Sequence, residues 1–384
     1  ATVVPATGSN TKGTSAISDI DGNLVFYCNG EKAWNSSNTV LTNGGNLYGN
    51  QEVSQSSIIV PLPNSANRYM LFTLDNVSSG NGLYYYTVDM NSSNGIVSSG
   101  LQLDSIMTEK LCATKHSNDL DYWVVAHKWH SDSFMAYHVD TFGVNATPVI
   151  SKVGMVHTGG FNGSIGQMKI SPDGTMIALA GWLGNFVELF SFDNTTGVVS
   201  APLTISNYSQ NFPFGIEFSP DSRKLYYAQR FSQNPEAIIF QYDLDHLDTA
   251  CLLASEFELG HLPELKIPSN LQLGTDGKIY LAVNYFSTYD TLTVINKPNL
   301  LGADAEFVEF GISTNSPITE GLCNFASSFV SDGIHVVFGT TCSDYETILF
   351  PEDTLLPDSV RWNFGDPTSA NNSSTQFQTS HVFS

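Results

Sequence analysis

QMKISPDGTMIALA, residues 167–180, is the stretch on which the fold turns. A short apolar strand leads into Pro172-Asp173-Gly174 and a second apolar strand leads out, so the stretch reads as a β-hairpin closed by an Asp-Gly turn. The plan recurs in IEFSPDSRKLYYAQ (216–229) and LQLGTDGKIYLAV (271–283), and AISDIDGNLVFY (16–27) is an earlier copy with the same aspartate and glycine. A hairpin used repeatedly is the unit of a repeat architecture.

Working outward, helical periodicity is nearly absent, and short apolar runs alternate with Gly, Asn, Asp, Ser and Pro, the pattern of an all-β chain. Candidate innermost strands begin near Ser15, Ser57, Leu111, Gln167, Gly215, Asn270 and Cys323. Their spacing approaches the roughly 40–50 residues of a four-stranded blade, so the chain predicts a seven-bladed β-propeller over residues 1–331. Blade four is expected to run QMKISP, TMIALA, VELFSFD, VVSAPLTI, and blade five GIEFSP, KLYYAQ, AIIFQYDL, ACLLASEF. Tyr84, Tyr85, Tyr86, Trp123, Trp129, Trp182, Phe190, Tyr226, Tyr227 and Tyr285 are wide enough to fill the wedges between splayed sheets. The last blade is short of strands. Either it is incomplete, or residues before Ala1 complete it.

From about Gly333 the character changes: HVVFGTTC, ETILF, SVRWNFGDP and HVF read as strands of a separate, incomplete immunoglobulin-like β-sandwich over 332–384, with the natural chain expected to continue past Ser384.

Charge excludes several functions. The 384 residues carry 15 Lys+Arg against 37 Asp+Glu, a formal charge of −22, with no basic run to neutralise phosphates, so nucleic acid is not an expected partner. No apolar run approaches the roughly 18 residues of a membrane helix, and no direct membrane insertion is expected. The N-terminus carries no targeting pattern, as though one had been removed or never included. Cys28, Cys112, Cys251, Cys323 and Cys342 form no CxxC; export would permit one disulfide, whose connectivity the sequence leaves open.

Several phrases together resemble a known family. SAISDIDGNLVFYCNGEKAWN (15–35), SSIIVPLP (56–63), TEKLCATKH with DYWVVAHKW (108–129) and the SPDG hairpins look like the propeller of large surface proteins of gliding bacteria, exported by the type IX secretion system. SVRWNFGDPTSANNSSTQFQTSHVF (359–383) is similar to the PKD motif, WxFGD followed by HxF. Cys28 and Cys112 depart from the small polar or apolar residues expected there. The resemblance implies a secreted, non-enzymatic adhesion module on the outer face of the outer membrane, connected with gliding motility, with a PKD spacer and a type B sorting signal downstream. It implies the type IX machinery as partner during export, and a protein or glycan ligand afterwards. Ser105, Thr249, Thr291, Thr354 and Ser359 each follow an Asp and precede an apolar residue, resembling the O-glycosylation acceptor of such bacteria.

Three constellations are chemical candidates. Lys169, Glu217 and Gln272 lie four residues before their turn aspartates, with Lys115 comparably placed before Asp119, and could form a polar ring on the propeller axis. That ring would serve the alternative reading, a hydrolase or lyase acting on a sugar or lactone; its bland reading is ion pairing between blades. His116, His127, His130 and His138 fall within one blade. A turn at Ser131-Asp132 would place His127 opposite Ala136 and His138 opposite Val125, in reach of one metal, although a third ligand is not evident. The turn aspartates Asp21, Asp173, Asp221 and Asp276 read as turn acceptors; calcium elsewhere stays open, and no other cofactor is expected. Neither a GxSxG nor a phosphate-binding glycine loop is present.

Overall fold

The computed structural model describes residues 12–207, 211–231, 237–262, 267–284, 289–318 and 321–330, and beyond them the segments 336–340, 346–351, 362–363, 373–376 and 379–382. The chain divides into two compact units, Ala1–Ser331 and Asp332–Ser384.

In the first unit, six sheets each begin with an innermost strand: Thr14–Ser18, Ser57–Pro61, Met107–Lys115, Met168–Ile170, Asn211–Phe218 and Ile267–Leu273. From each, the next strands pair outward in chain order, giving a β-propeller of six blades rather than seven. Cys323 does not open a seventh blade. Too little chain remains there for a blade, and Cys323–Asn324 instead pairs in parallel with Thr14–Ser18 along the inner edge of blade one. Residues 325–330 follow, with a 3-10 turn at Ser327–Phe329.

Apolar clusters fill the wedges between successive blades, from one–two through five–six. Tyr86, Trp123, Phe190, Tyr226 and Tyr227 are buried as wedge fillers, Trp129 is buried in the blade-three turn outside those clusters, Tyr84, Tyr85 and Trp182 are half-buried, and Tyr285 lies outside the described residues. ACLLASEF is the second correction: Thr249–Ala254 is a helix, and the outer strand of blade five is Phe257–Leu262. The Asp248 side chain accepts from the Cys251 N–H as N-cap, and the following Ala/Leu run has high helix propensity.

The Asp-Gly hairpins form as expected, and their side chains tie the turns. Ser171 Oγ donates to Asp173, which also accepts from the Thr175 N–H; Ser219, Asp221 and Arg223 repeat the arrangement. In blade one Asp19, not Asp21, takes this role, accepting from the N–H groups of Asp21 and Asn23. The four described cysteines are free thiols, and Cys342 lies outside the described residues. In the second unit, Val336–Thr340, Glu346–Pro351 and Thr379–Val382 form a three-stranded sheet, and Trp362–Asn363 pairs with Ser373–Ser374.

Candidate functional site

The axis comes first, because convergent polar groups of neighbouring blades meet there. Lys169, Glu217 and Gln272 are brought together and buried: Lys169 Nζ lies 2.9 Å from Glu217 Oε2 and 2.7 Å from Gln272 Oε1. Glu217 also accepts from the N–H groups of Phe218 and Leu273, and Gln272 Nε2 donates to the Leu273 carbonyl. Lys115 is not part of this group. It pairs with Tyr122 as Ile170 pairs with Ile177, so Thr114 stands where Lys169 stands one blade on. A one-residue offset turns a strand side chain to the opposite face.

Residues 323–330 occupy the rest of the axis. Asn324 Nδ2 donates to the carbonyls of Ser57 and Leu111, Ser327 Oγ donates to the Ser171 carbonyl, and Ser328 Oγ accepts from the Lys115 N–H. The cavity left between Phe325, Ser327, Val330 and the Lys169–Glu217–Gln272 group is about 10 Å³, room for one water at most.

A second polar layer was not foreseen from the sequence. Innermost strands leave an unpaired edge toward the axis, and its N–H and C=O groups need partners. Carboxamides supply them. Gln55 Oε1 accepts from Leu111 N–H (3.3 Å) and Met168 N–H (2.8 Å), while its Nε2 donates to the Met168 carbonyl. Gln167 Oε1 accepts from Ile216 and Leu271 N–H groups, and Asn270 Nδ2 donates to the carbonyls of Lys12 and Ser54. Each amide bridges two other blades or segments. The signal was an Asn or Gln at or just before the start of the apolar run of an inner strand, visible at Gln55, Gln167 and Asn324, and at Asn270 within the longer strand Ile267–Leu273.

The histidine pair expected to share a metal is separated. The blade-three turn covers Trp129–Asp132, with His130 at φ 56°, so His127 faces Phe134 and His138 faces Trp123. Four residues of strand, about 13 Å, divide the two imidazoles. His138 lies 3.2 Å from the Asp121 carboxylate and against Trp123 and His116. Among the described residues no group of three or more His, Cys, Asp or Glu is placed to hold a metal.

His127 instead meets a residue the sequence did not single out. Its ring centroid is 4.2 Å from that of His157, which the connection between blades three and four carries inward. Phe134 packs edge-on against His127 and Phe186 against His157. Both histidines are 1% exposed, and His127 Nδ1 and both ring nitrogens of His157 lack hydrogen-bond partners. Lys110, also fully buried, donates to the carbonyls of Ser164 (3.2 Å) and Ile165 (3.1 Å) in the same connection. Burial lowers Lys110 to about 7, an effect the neighbouring Glu109 partly offsets. Burial, then the Lys110 charge, lowers His127 to about 3; His157 is held well below its ordinary value by burial, His127 and Lys110. Burial raises Glu109, against the hydrogen bonds it accepts from Ser54. The signals available were a Glu-Lys pair in the middle of an innermost strand, MTEKLCATK, and a glycine-rich connection, VGMVHTGGFNGSIG.

The inner strands start on one face of the ring, where the blade-to-blade connections also lie; this loop face carries exposed aromatics. Tyr48, 47% exposed, stacks on Tyr84, and half-buried Trp182 stacks on Phe212 with Phe214 edge-on. Of the acceptor candidates, Ser105 is exposed, Thr249 is exposed in the first turn of the helix, Thr291 is half-buried in a blade-six strand, and Thr354 and Ser359 lie outside the described residues. Asp104 and Asp248 already have structural tasks, Asp104 binding Lys128 and Asp248 capping the helix.

These features define a six-bladed β-propeller with a filled axis. No family model and no curated protein matches the chain. It is similar to solved structures that include Kuenenia stuttgartiensis hydrazine synthase (16% identity, 62% of this chain and 62% of that one, TM-score 0.39). Two others are the periplasmic gluconolactonase of Pseudomonas aeruginosa (13%, 98% and 94%, 0.45) and the Dos1 propeller (10%, 87% and 78%, 0.47).

Proposed function

We propose that the chain is a non-enzymatic, exported cell-surface binding and adhesion module that takes a protein or glycan ligand on its loop face. The observation that carries this reading is the axis. Lys169, Glu217 and Gln272 are spent on one another and on backbone, and among the described residues the cavity that residues 325–330 leave beside them is about 10 Å³. The aromatics Tyr48 and Trp182 offer stacking surfaces on the loop face instead. Residues 332–384 act in this reading as a PKD-type spacer, and the type IX system exports the chain; the phrases quoted above support both.

The second reading is a hydrolase or lyase acting on a sugar or lactone at the axis, favoured by the buried Lys169–Glu217 pair beside the small cavity. It requires residues 325–330 to withdraw. A glycan and surface-protein binding screen of the purified chain, run beside lactone and aryl-glycoside hydrolysis, separates the two. Binding that is lost in Tyr48→Ala and Trp182→Ala but kept in Glu217→Gln is expected. Turnover abolished by Glu217→Gln in a folded protein would replace the binding reading with the enzymatic one.

A further inference from the structure

The blade-three to blade-four connection is anchored in an unusual way. Residues 153–166 contain Gly154, Gly159, Gly160, Gly163 and Gly166, three of them at positive φ, so its backbone has few intrinsic restraints. Between residues 153 and 163 its described ties to the rest of the ring are few: the Val153 and His157 N–H groups donate to the Asp132 and Ser131 carbonyls, the Met155 N–H to Glu188, and the His130 N–H to the His157 carbonyl, while beyond them the Ile165 carbonyl accepts from Trp182 N–H and the Gly166 N–H donates to Ser54 Oγ. Between residues 153 and 162 the buried side chain is His157, and its ring makes no hydrogen bond. Its place is kept by apolar contact with Phe186 and ring contact with His127, while Lys110 stands beside both imidazoles and holds the far end of the connection through Ser164 and Ile165.

We propose that residues 153–163 form an acid-released strap: protonation of His157 expels its ring from the His127–Lys110 pocket and frees the strap while the propeller stays folded.

The charges that face His157 set the direction. From the first strand of blade three comes Lys110, which gains its proton as pH falls through about 7; from the second strand comes His127, which burial keeps neutral. An imidazolium at His157 would therefore stand against a cation already present. Glu109, next to Lys110, has its carboxylate committed to Ser54. Glu188, which holds the Met155 N–H, is raised by burial and takes up a proton without favouring release, so it works the other way. For His157 the sign is that of a depressed base. The closed strap is fully favoured above about pH 6.5 and loses ground below it, because only the released ring takes up a proton readily. Release of 153–163 would uncover the Phe134–Phe186 wedge between blades three and four, while Lys110 stays bound to Ser164 and Ile165.

The test is hydrogen–deuterium exchange of the full chain at pH 7.5 and pH 5, corrected for intrinsic exchange. With a released histidine near its ordinary value, the opening constant of 153–163 should rise about 30-fold at pH 5. Protection in Ser57–Pro61 and Arg68–Leu74 should hold. His157→Phe, which fills the same apolar place, should remove the rise. No rise in the wild type, or an equal rise in His157→Phe, overturns the proposal. Should that variant fail to fold, histidine-selective NMR of the wild type decides: a His157 ring that titrates near 6.5 while the strap stays protected is equally fatal.

Discussion

Replacing Lys110 by Met changes one buried ammonium into an apolar group of similar length, and the consequence is calculable. The wild-type amine is lowered from 10.5 to about 7. Between those values the unfolded chain holds a proton that the folded chain does not, so stability rises with pH, by about 1.4 kcal/mol per unit. The contribution is complete above 10.5 and is lost as pH falls to 7. Lys110→Met has no such dependence, and it forfeits the bonds to Ser164 and Ile165, at about 1–3 kcal/mol for each carbonyl left bare. The wild type should therefore gain on the variant by about 4 kcal/mol between pH 7 and pH 10, and by little between pH 5 and 7. Urea unfolding of both proteins across that range, compared as a difference, cancels the tyrosines that titrate in both. Parallel curves would refute the argument, since they would mean that Lys110 keeps an ordinary affinity for its proton in the folded state.

Two further substitutions address the axis. Gln167→Ala leaves the N–H groups of Ile216 and Leu271 without their acceptor and should cost about 2–4 kcal/mol in chemical denaturation; a loss below half a kcal/mol would mean that water replaces the amide. Lys169→Met strands Glu217 among buried groups and should cost about 3–5 kcal/mol. Adding Glu217→Gln should recover part of that, and a double variant no more stable than the single one would show that the two charges are not coupled.

The repeat was legible because Asp-Gly hairpins have a local cause: turn geometry and strand alternation lie within a dozen residues. The blade count was not, because whether CNFASSFV builds a blade or fills a channel depends on the diameter of the ring, which no local pattern encodes. The axial group was read from spacing to the turn aspartates. Where each blade keeps the same offset, that spacing brings Lys169, Glu217 and Gln272 together, and it misses Lys115, because Asp119 sits one residue farther from its strand. His127 and His138 were misjudged through turn length: a four-residue turn over Trp129–Asp132 moves every cross-strand neighbour by two. His157 had no partner within its own stretch to announce it. Its meeting with His127 is made by a connection folding inward, which periodicity cannot see.

The segment that fills the axis is also the last part of the propeller to be synthesised. The bonds from Asn324 to blades two and three, from Ser327 to blade four and from Ser328 to blade three all wait for it. However early the individual hairpins fold, the inner edges of those blades lack these partners until residue 330 has emerged. The ring is thus kept unfinished by its own chain order, and completing it is a single late event that involves four blades at once.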